Sequence, residues 1–509
     1  MSVCEVPEKR MGWACFLEVR CVSCNMPVLG TQTMTSRKTP LKGYDVNRRI
    51  VTAASANGIG FSQLCNFCGA MDMPTPMHLK TWQHYQKAYS SSACSAASNH
   101  FQEAAQHVRK TYPETGLGEP TADGRLDIAV SFDGSWHKRG RTSNNGIATV
   151  IELYTGLILD YEVLSKYCKV CNEGPAEDSP EFGDWWAKHE SVCQKNCRTS
   201  SQAMETEAAV RMFRRSIDLH NFRYIEMLSD GDSKAYTAVC QDSPYGSSHN
   251  VCNIEKKECT NHVTKRMGTA LRTLVAKQKA VKEPIGGRGR LTDKRIDQLT
   301  NYYGRAIKDH AGDLDGMEQA VWATYYHSIS TDEDPQHLRC PAGKESWCFY
   351  RRAEANNEPP PSHSHPLPRE VAIALTPVYT RLGDRKLLER CLPGKTQNAN
   401  ESFHSMVWRC CPKERWAGRR TVEAAVAISC TRYNKGSSAL LDVLAQLDLH
   451  AGGACEEFVS KSDTLRVQKA SRKCSEKAKK RRKTMENAKR RENERRSAAE
   501  GETYAPGGF

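Results

Sequence analysis

The hydrophobic pattern changes period several times along the chain. Over 46–69 apolar residues recur at helical spacing (Val46, Ile50, Val51, Ala54), with Gly58 and Gly60 as breakers. An Ala-, Gln- and Ser-rich stretch predicts a second helix over 78–112. Residues 113–124, PETGLGEPTADG, read as a Pro/Gly linker. The run LDIAVSF at 126–132 then has the continuous apolar character of a buried strand, and it ends at Asp133. Two further strands, 146–153 and 157–163, flank Tyr154-Thr155-Gly156, a hairpin signal. A helix over 201–220 and a strand over 222–228 follow, the strand running out at Asp230. From 252 to about 378 the pattern is mainly helical, with polar breaks at 286–289 and 358–368. A helix opens at 401–408, and 420–450 hold one or two more. Residues 1–45 carry no clear period and predict irregular structure.

Strand, hairpin, helix, strand and a long helical block together predict an α/β core with an all-helical insertion. The expected divisions are a Cys-containing segment 1–45, a helical N-terminal region 46–118 and a core 125–240 with a Cys-rich insert at 165–200. A helical insertion 241–390, core helices 391–450 and a basic tail 451–509 complete them.

No apolar run approaches the roughly 18–20 residues of a membrane span, so an integral membrane protein is excluded. The first residues have no apolar core of a secretory leader. The formal net charge is +14, and it is unevenly placed. Residues 466–496 hold fifteen Lys/Arg against four Glu, which is +11 and leaves +3 for the rest. Such a tail suits nuclear import and nonspecific phosphate contact; its bland reading is a solvated, partly helical tail.

Asp133 (FDGSW) and Asp230 (SDGD) each follow a strand, where α/β sheets gather catalytic groups. Carboxylates on adjacent strands can share two divalent metals about 3.5–4 Å apart, which suits phosphoryl transfer once a third acid completes the cage. Asp before Gly is also ordinary turn chemistry, and Asp232 rivals Asp230 for the second position.

Of the 22 cysteines, those in close pairs near histidines read as zinc ligands rather than disulfides, a reducing compartment being expected where no secretory leader is predicted. Cys168-x2-Cys171 followed by His189-x3-Cys193 has structural zinc spacing, with Cys197 as a spare. His327, His337, Cys340 and Cys348 could close a second site or be scattered loop residues. Cys21-x2-Cys24 and Cys65-x2-Cys68 form a weaker third group, separated by a long spacer. Cys259-x2-His262 opens a helix and supplies half a metal site at most.

The stretch SFDGSWHKRGRTSNNGIATVIELYTGLILDYEVLSKYCKVC resembles the Mutator-like transposase domain of many animal genomes. The resemblance continues through HESVCQKNC, MLSDGDSKAY, ECTNHVTKRMGTALR, CPAGKESWC and TQNANESFHSMVW, over roughly 45–430. It implies an RNase H-like mixed sheet with a helical insertion, a zinc-binding insert and a helical N-terminal region. It also implies a DDE cut-and-paste transposase using Mg²⁺ or Mn²⁺, with Zn²⁺ as a structural ion. Carried over by motif, the acids are Asp133, Asp230 and Glu401, and the family's C-x2-H element is Cys259 and His262. A metal-activated water would cut at the element's terminal repeats, and the freed 3′-hydroxyl would attack target DNA. Lys138, Arg139, Arg141, Lys265 and Arg266 are the candidate contacts to the DNA backbone. The expected partners are transposon ends, target DNA and further copies of the chain, in the nucleus. The alternatives are a domesticated, catalytically inactive zinc-containing DNA-binding protein and an RNase H-like nuclease without strand transfer.

Overall fold

The computed structural model describes residues 1–482 apart from 40–42, 139–141, 232–233, 249–250, 253 and 364–365, together with 484, 485 and 488. The chain divides into two compact units, residues 1–49 with 435–509, and residues 50–434. Among the described residues no helix is long and apolar enough to cross a membrane.

The larger unit is built on a five-stranded sheet. Its strands are β1 (Leu126–Trp136), β2 (Asn145–Glu152), β3 (Ile158–Ser165), β4 (Phe222–Ser229) and β5 (Glu255–Glu258). Their order is β5-β4-β1-β2-β3. β5, β4 and β1 run parallel, while β1, β2 and β3 form an antiparallel meander. Every residue of β2 is buried, so its apolar run marks an interior strand covered on both faces. β2 and β3 join through Gly156, whose φ of +72° suits the turn predicted there.

Helix α1 (Leu79–Glu114) precedes the sheet, and α2 (Ala203–His220) crosses from β3 to β4. Met204, Ala208, Met212 and Phe213 of α2 share one core with Ile128, Val130 and Phe132 of β1. After α3 (Lys234–Asp242) and β5 come α4 (Thr260–Ala280), α5 (Asp293–Asp309), α6 (Leu314–Ile329), α7 (Phe349–Asn356), α8 (Arg369–Leu382) and α9 (Arg385–Cys391). This insertion has a core of its own, centred on Met267, Leu299, Tyr303, Val321 and Tyr379. It leaves and rejoins the sheet at one place, where Thr260 N–H donates to Lys395 O at 3.2 Å. α10 (Asn398–Cys410) and α11 (Arg419–Asn434) then return to the sheet.

In the smaller unit, strand Ser2–Met11 pairs antiparallel with Ala14–Arg20, and Thr33–Met34 adds a short third strand. The irregular structure predicted over 1–45 is thus corrected. These strands alternate poorly because Glu18 is buried, accepting bonds from Arg20 and Gln32. Helices Ala439–Gln446 and Gly453–Cys474 complete the unit, with Asp463 accepting from the backbone N–H groups of Ser437 and Ser438.

Three further differences have local causes. β5 is a strand where helix was predicted, because EKKE is an edge segment with no apolar signal. The first predicted helix splits at its glycines into Asp45–Ala56 and Phe61–Ala70. β1 runs three residues beyond Asp133, because β2 continues to pair with it through Trp136↔Gly146.

Candidate active site and metal centres

Asp133 sits inside β1, opposite Thr149 of β2. Its parallel neighbour β4 stops pairing at Ser131↔Leu228, so Asp133 projects past the end of β4. Asp230 follows that same strand end directly. A Cβ on Gly134 would face Glu205 of α2, so alternation turns Asp133 toward the opposite face. α10 covers that face. Ser131 Oγ donates to Asn400 Oδ1 at 2.6 Å, and Asn400 Nδ2 donates to Thr149 Oγ1 at 3.4 Å. Gln397 Nε2 donates to Phe132 O at 2.9 Å. These bonds fix the first turn of α10 on β1, and that turn carries Glu401.

The acids sense one another. Burial pushes the Asp133 carboxyl up to about 7, and the like charge of Asp230 adds to it. A Gly134 N–H bond and His262 oppose the rise, while Glu401 reinforces it. The Asp133 side chain is 19% exposed and that of Glu401 56%, so the group opens outward at Glu401. Among the described residues, the acids are less tightly gathered than the Cys/His clusters below. Asp232, the rival second acid, lies outside the described residues.

Cys259 and His262 start α4 and face the acids through Gln397. Gln397 N–H donates to Cys259 Sγ at 3.4 Å, and Gln397 Oε1 lies 3.2 Å from His262 Nδ1. His262 Nε2 lies 3.9 Å from Glu401 Oε1. A hydrogen bond donated to the Cys259 sulfur raises the His262 imidazole above its usual range, against burial, with Asp230 assisting. Burial opposes ionisation of Cys259, but bonds from His262 and Gln397 hold its thiol below the usual value.

His404 follows Glu401 by three residues, hence on the same helix face. Its Nδ1 lies 3.6 Å from Asp133 Oδ2, and burial pushes the imidazole down to about 4. Gln397, Asn400 and His404 escaped the sequence reading. The polar run TQNANESFH at a helix start was their only signal.

The candidate DNA contacts divide. Lys138 and Lys265 are exposed. Arg266 instead pairs with Glu258, Nη2 to Oε2 at 2.6 Å, and Glu258 is 3% exposed. A Cβ on Gly231 would overlap the Arg266 guanidinium, which therefore lies against the turn that carries Asp230. Arg139 and Arg141 lie outside the described residues.

Two Cys/His groups gather: Cys168, Cys171, His189 and Cys193, as their spacing predicted, and His327, His337, Cys340 and Cys348, which the sequence left open between a closed site and scattered loop residues. In the first, His189 Nε2 lies 3.4 Å from Cys168 Sγ and 3.2 Å from Cys171 Sγ, and the Cys171 and Cys193 sulfurs are 3.4 Å apart. In the second, the two Nδ1 atoms are 3.3 Å apart, and Cys348 Sγ lies 3.6 and 3.5 Å from them. Tetrahedral bonds of about 2.3 Å to sulfur and 2.0 Å to nitrogen place ligand atoms roughly 3.3–3.8 Å apart, so both groups are compatible with zinc. Trp185 stacks on His189 at 4.7 Å, as a ring packed on the site. Cys197 stands aside, bonding to Glu207 and Thr199. Cys21 and Cys24 belong to one compact unit, Cys65 and Cys68 to the other.

None of the curated proteins compared with the chain matches it. The family model for the Mutator-like transposase matches residues 2–348, about two thirds of the chain. That span contains Asp133, Asp230, the Cys259/His262 pair and both Cys/His groups, and it stops short of α10. With so much of its length matched, the chain belongs to the Mutator-like transposases.

Proposed function

We propose that the protein is a DDE transposase whose acids are Asp133, Asp230 and Glu401. The observation that carries the proposal is their convergence. Residues from β1, the end of β4 and α10, far apart in sequence, lift the Asp133 carboxyl to about 7 by burial and mutual repulsion. Carboxylates held together against their own repulsion are suited to a divalent cation. Mg²⁺ or Mn²⁺ held there would supply Lewis acidity to the scissile phosphodiester and activate the attacking oxygen. The strand order, with two parallel pairings (β5-β4 and β4-β1) and two antiparallel ones (β1-β2 and β2-β3), supports an RNase H-like core.

The chain's own residues divide the work. Asp133 is the buried anchor, and Glu401 meets solvent where DNA approaches. Gln397 holds α10 to β1, and Arg266 steadies the turn carrying Asp230. His262 offsets part of the negative charge beside Glu401. Exposed Lys138 and Lys265 contact phosphates, with Arg139 added on its sequence position alone. Zn²⁺ in the two Cys/His groups is structural. Strand transfer by a homo-oligomer, with the basic tail directing nuclear import, completes the reading.

The test is cleavage of DNA carrying the element's terminal repeats by the purified full chain with Mg²⁺ or Mn²⁺. Asp133→Asn and Glu401→Gln are expected to abolish cutting while DNA binding persists. Cutting retained by either variant sinks its assignment. A wild-type chain that binds but never cuts fits the domesticated, zinc-containing DNA-binding alternative.

A further inference from the structure

The second Cys/His group has an outer layer beyond its four ligands. His337 directs Nδ1 into the group, 3.8 Å from Cys340 Sγ and 3.5 Å from Cys348 Sγ. Its other nitrogen, Nε2, lies 2.7 Å from His363 Nε2 and 3.0 Å from Ser330 Oγ. His363 Nδ1 lies 2.6 Å from Asp332 Oδ1, and the His363 backbone N–H donates to that same oxygen at 2.7 Å. The His363 side chain is 7% exposed, and its ring stacks on His337 at 5.0 Å.

If His337 Nδ1 offers its lone pair to a metal, one proton arrangement satisfies the contacts between the rings. His337 carries its proton on Nε2 and donates it to His363 Nε2. His363 carries its own on Nδ1 and donates it to the Asp332 carboxylate. We infer that Asp332 and His363 form an outer-shell relay that orients His337 and increases its basicity toward a zinc-type cation. The inference rests on the zinc reading of this group.

Its placement gives the relay a structural reach. The ligands come from the end of α6, the loop after it and the residue before α7. His363 adds the connection from α7 to α8, which is also pinned where Leu367 N–H donates to Ser328 O at 3.0 Å. The polar break that the sequence shows over 358–368 is therefore tied to the metal group through His363.

The test uses the full chain, zinc and a chromogenic chelator as competitor. Wild type is expected to hold two zinc equivalents, and Cys340→Ser to lose one. His363→Phe should weaken one class of site about 10–100-fold and leave the other unchanged. His363→Gln, whose amide oxygen can accept the His337 proton, should fall between Phe and wild type. Asp332→Asn, at a half-exposed carboxylate, should weaken the same class about tenfold, and it carries the test if the ring variant fails to fold. Cobalt substitution gives a second readout, since the visible bands of tetrahedral Co²⁺ should change in the relay variants. If Cys340→Ser loses no zinc, the zinc reading fails. If it loses one equivalent while the relay variants bind as wild type does, the relay alone fails. Equal weakening by Phe and Gln would replace the hydrogen-bonded relay with simple packing.

Discussion

A carboxyl raised to about 7 stays protonated where an ordinary Asp is already charged. Asp133 must lose that proton to hold a divalent cation. Below about pH 7 each bound cation therefore displaces a proton, and affinity should fall about tenfold per pH unit. Mn²⁺ binding followed by electron paramagnetic resonance between pH 5.5 and 8 checks this, and a flat profile refutes the raised carboxyl. The same shift makes the metal-free fold less stable as pH rises from about 4 to 7, because the folded chain binds more protons than the unfolded one there. Gln397 is the second test at this scale. Its side chain serves Phe132 O and faces His262 Nδ1, and its backbone N–H serves Cys259. Gln397→Leu should cost about 1–3 kcal/mol by leaving a buried carbonyl unpaired. It should also lower Mn²⁺ affinity, because Glu401 loses its anchor. An unchanged melting temperature would remove Gln397 from the frame of the site. Such contacts were not legible in the sequence: Gln397 meets β1 across 265 positions and Asn400 meets it across 269. Nothing local in TQNANESFH says which strand it will face.

At the scale of elements, legibility follows apolar contrast. β1 to β4 stood out because their runs are buried, and Asp133 and Asp230 were visible as acids at the end of such runs. Glu401 had no such mark and was reached only through family resemblance. β5 was missed because EKKE lies at an edge, with Glu258 buried among Lys256, Arg266 and Arg390 rather than apolar side chains. The first Cys/His group was legible from spacing alone, because ligands that close on a metal recur at short intervals whatever the surrounding fold, whereas the wider spacing of the second left it open. The first group links the helix Lys169–Glu173, the helix Phe182–His189 and Cys193. No residue of Lys169–Glu173 is buried, although its N-cap Cys168 is, so apolar packing alone holds the insert weakly. Cys168→Ser should release one zinc equivalent and open 165–200 to protease, while the sheet keeps its protection from hydrogen exchange. Full zinc content in this variant counts against the site.

At the scale of the whole molecule, the basic run and the three proposed acids are separate in sequence. Residues 475–509 carry eleven Lys/Arg of the basic run. Deleting them should reduce the slope of log affinity against log salt, by roughly 0.9 for each lost phosphate contact to duplex DNA. Cleavage at saturating DNA should survive, and an unchanged slope would place the phosphate contacts on the body. The meeting of Thr260 with Lys395 has a different consequence. The two positions stand 135 apart in sequence, yet the hydrogen bond between them closes the long excursion. A segment that departs and returns at one point behaves, for the sheet, like a very short loop. Beyond the start of α4, whose His262 and Arg266 serve the acids, its length can change without moving Asp133, Asp230 or Glu401, since loop-closure entropy rises only with the logarithm of length and the segment has its own core. On the proposed reading, the outer part of the insertion is where new recognition surfaces can be acquired while the three acids keep their places.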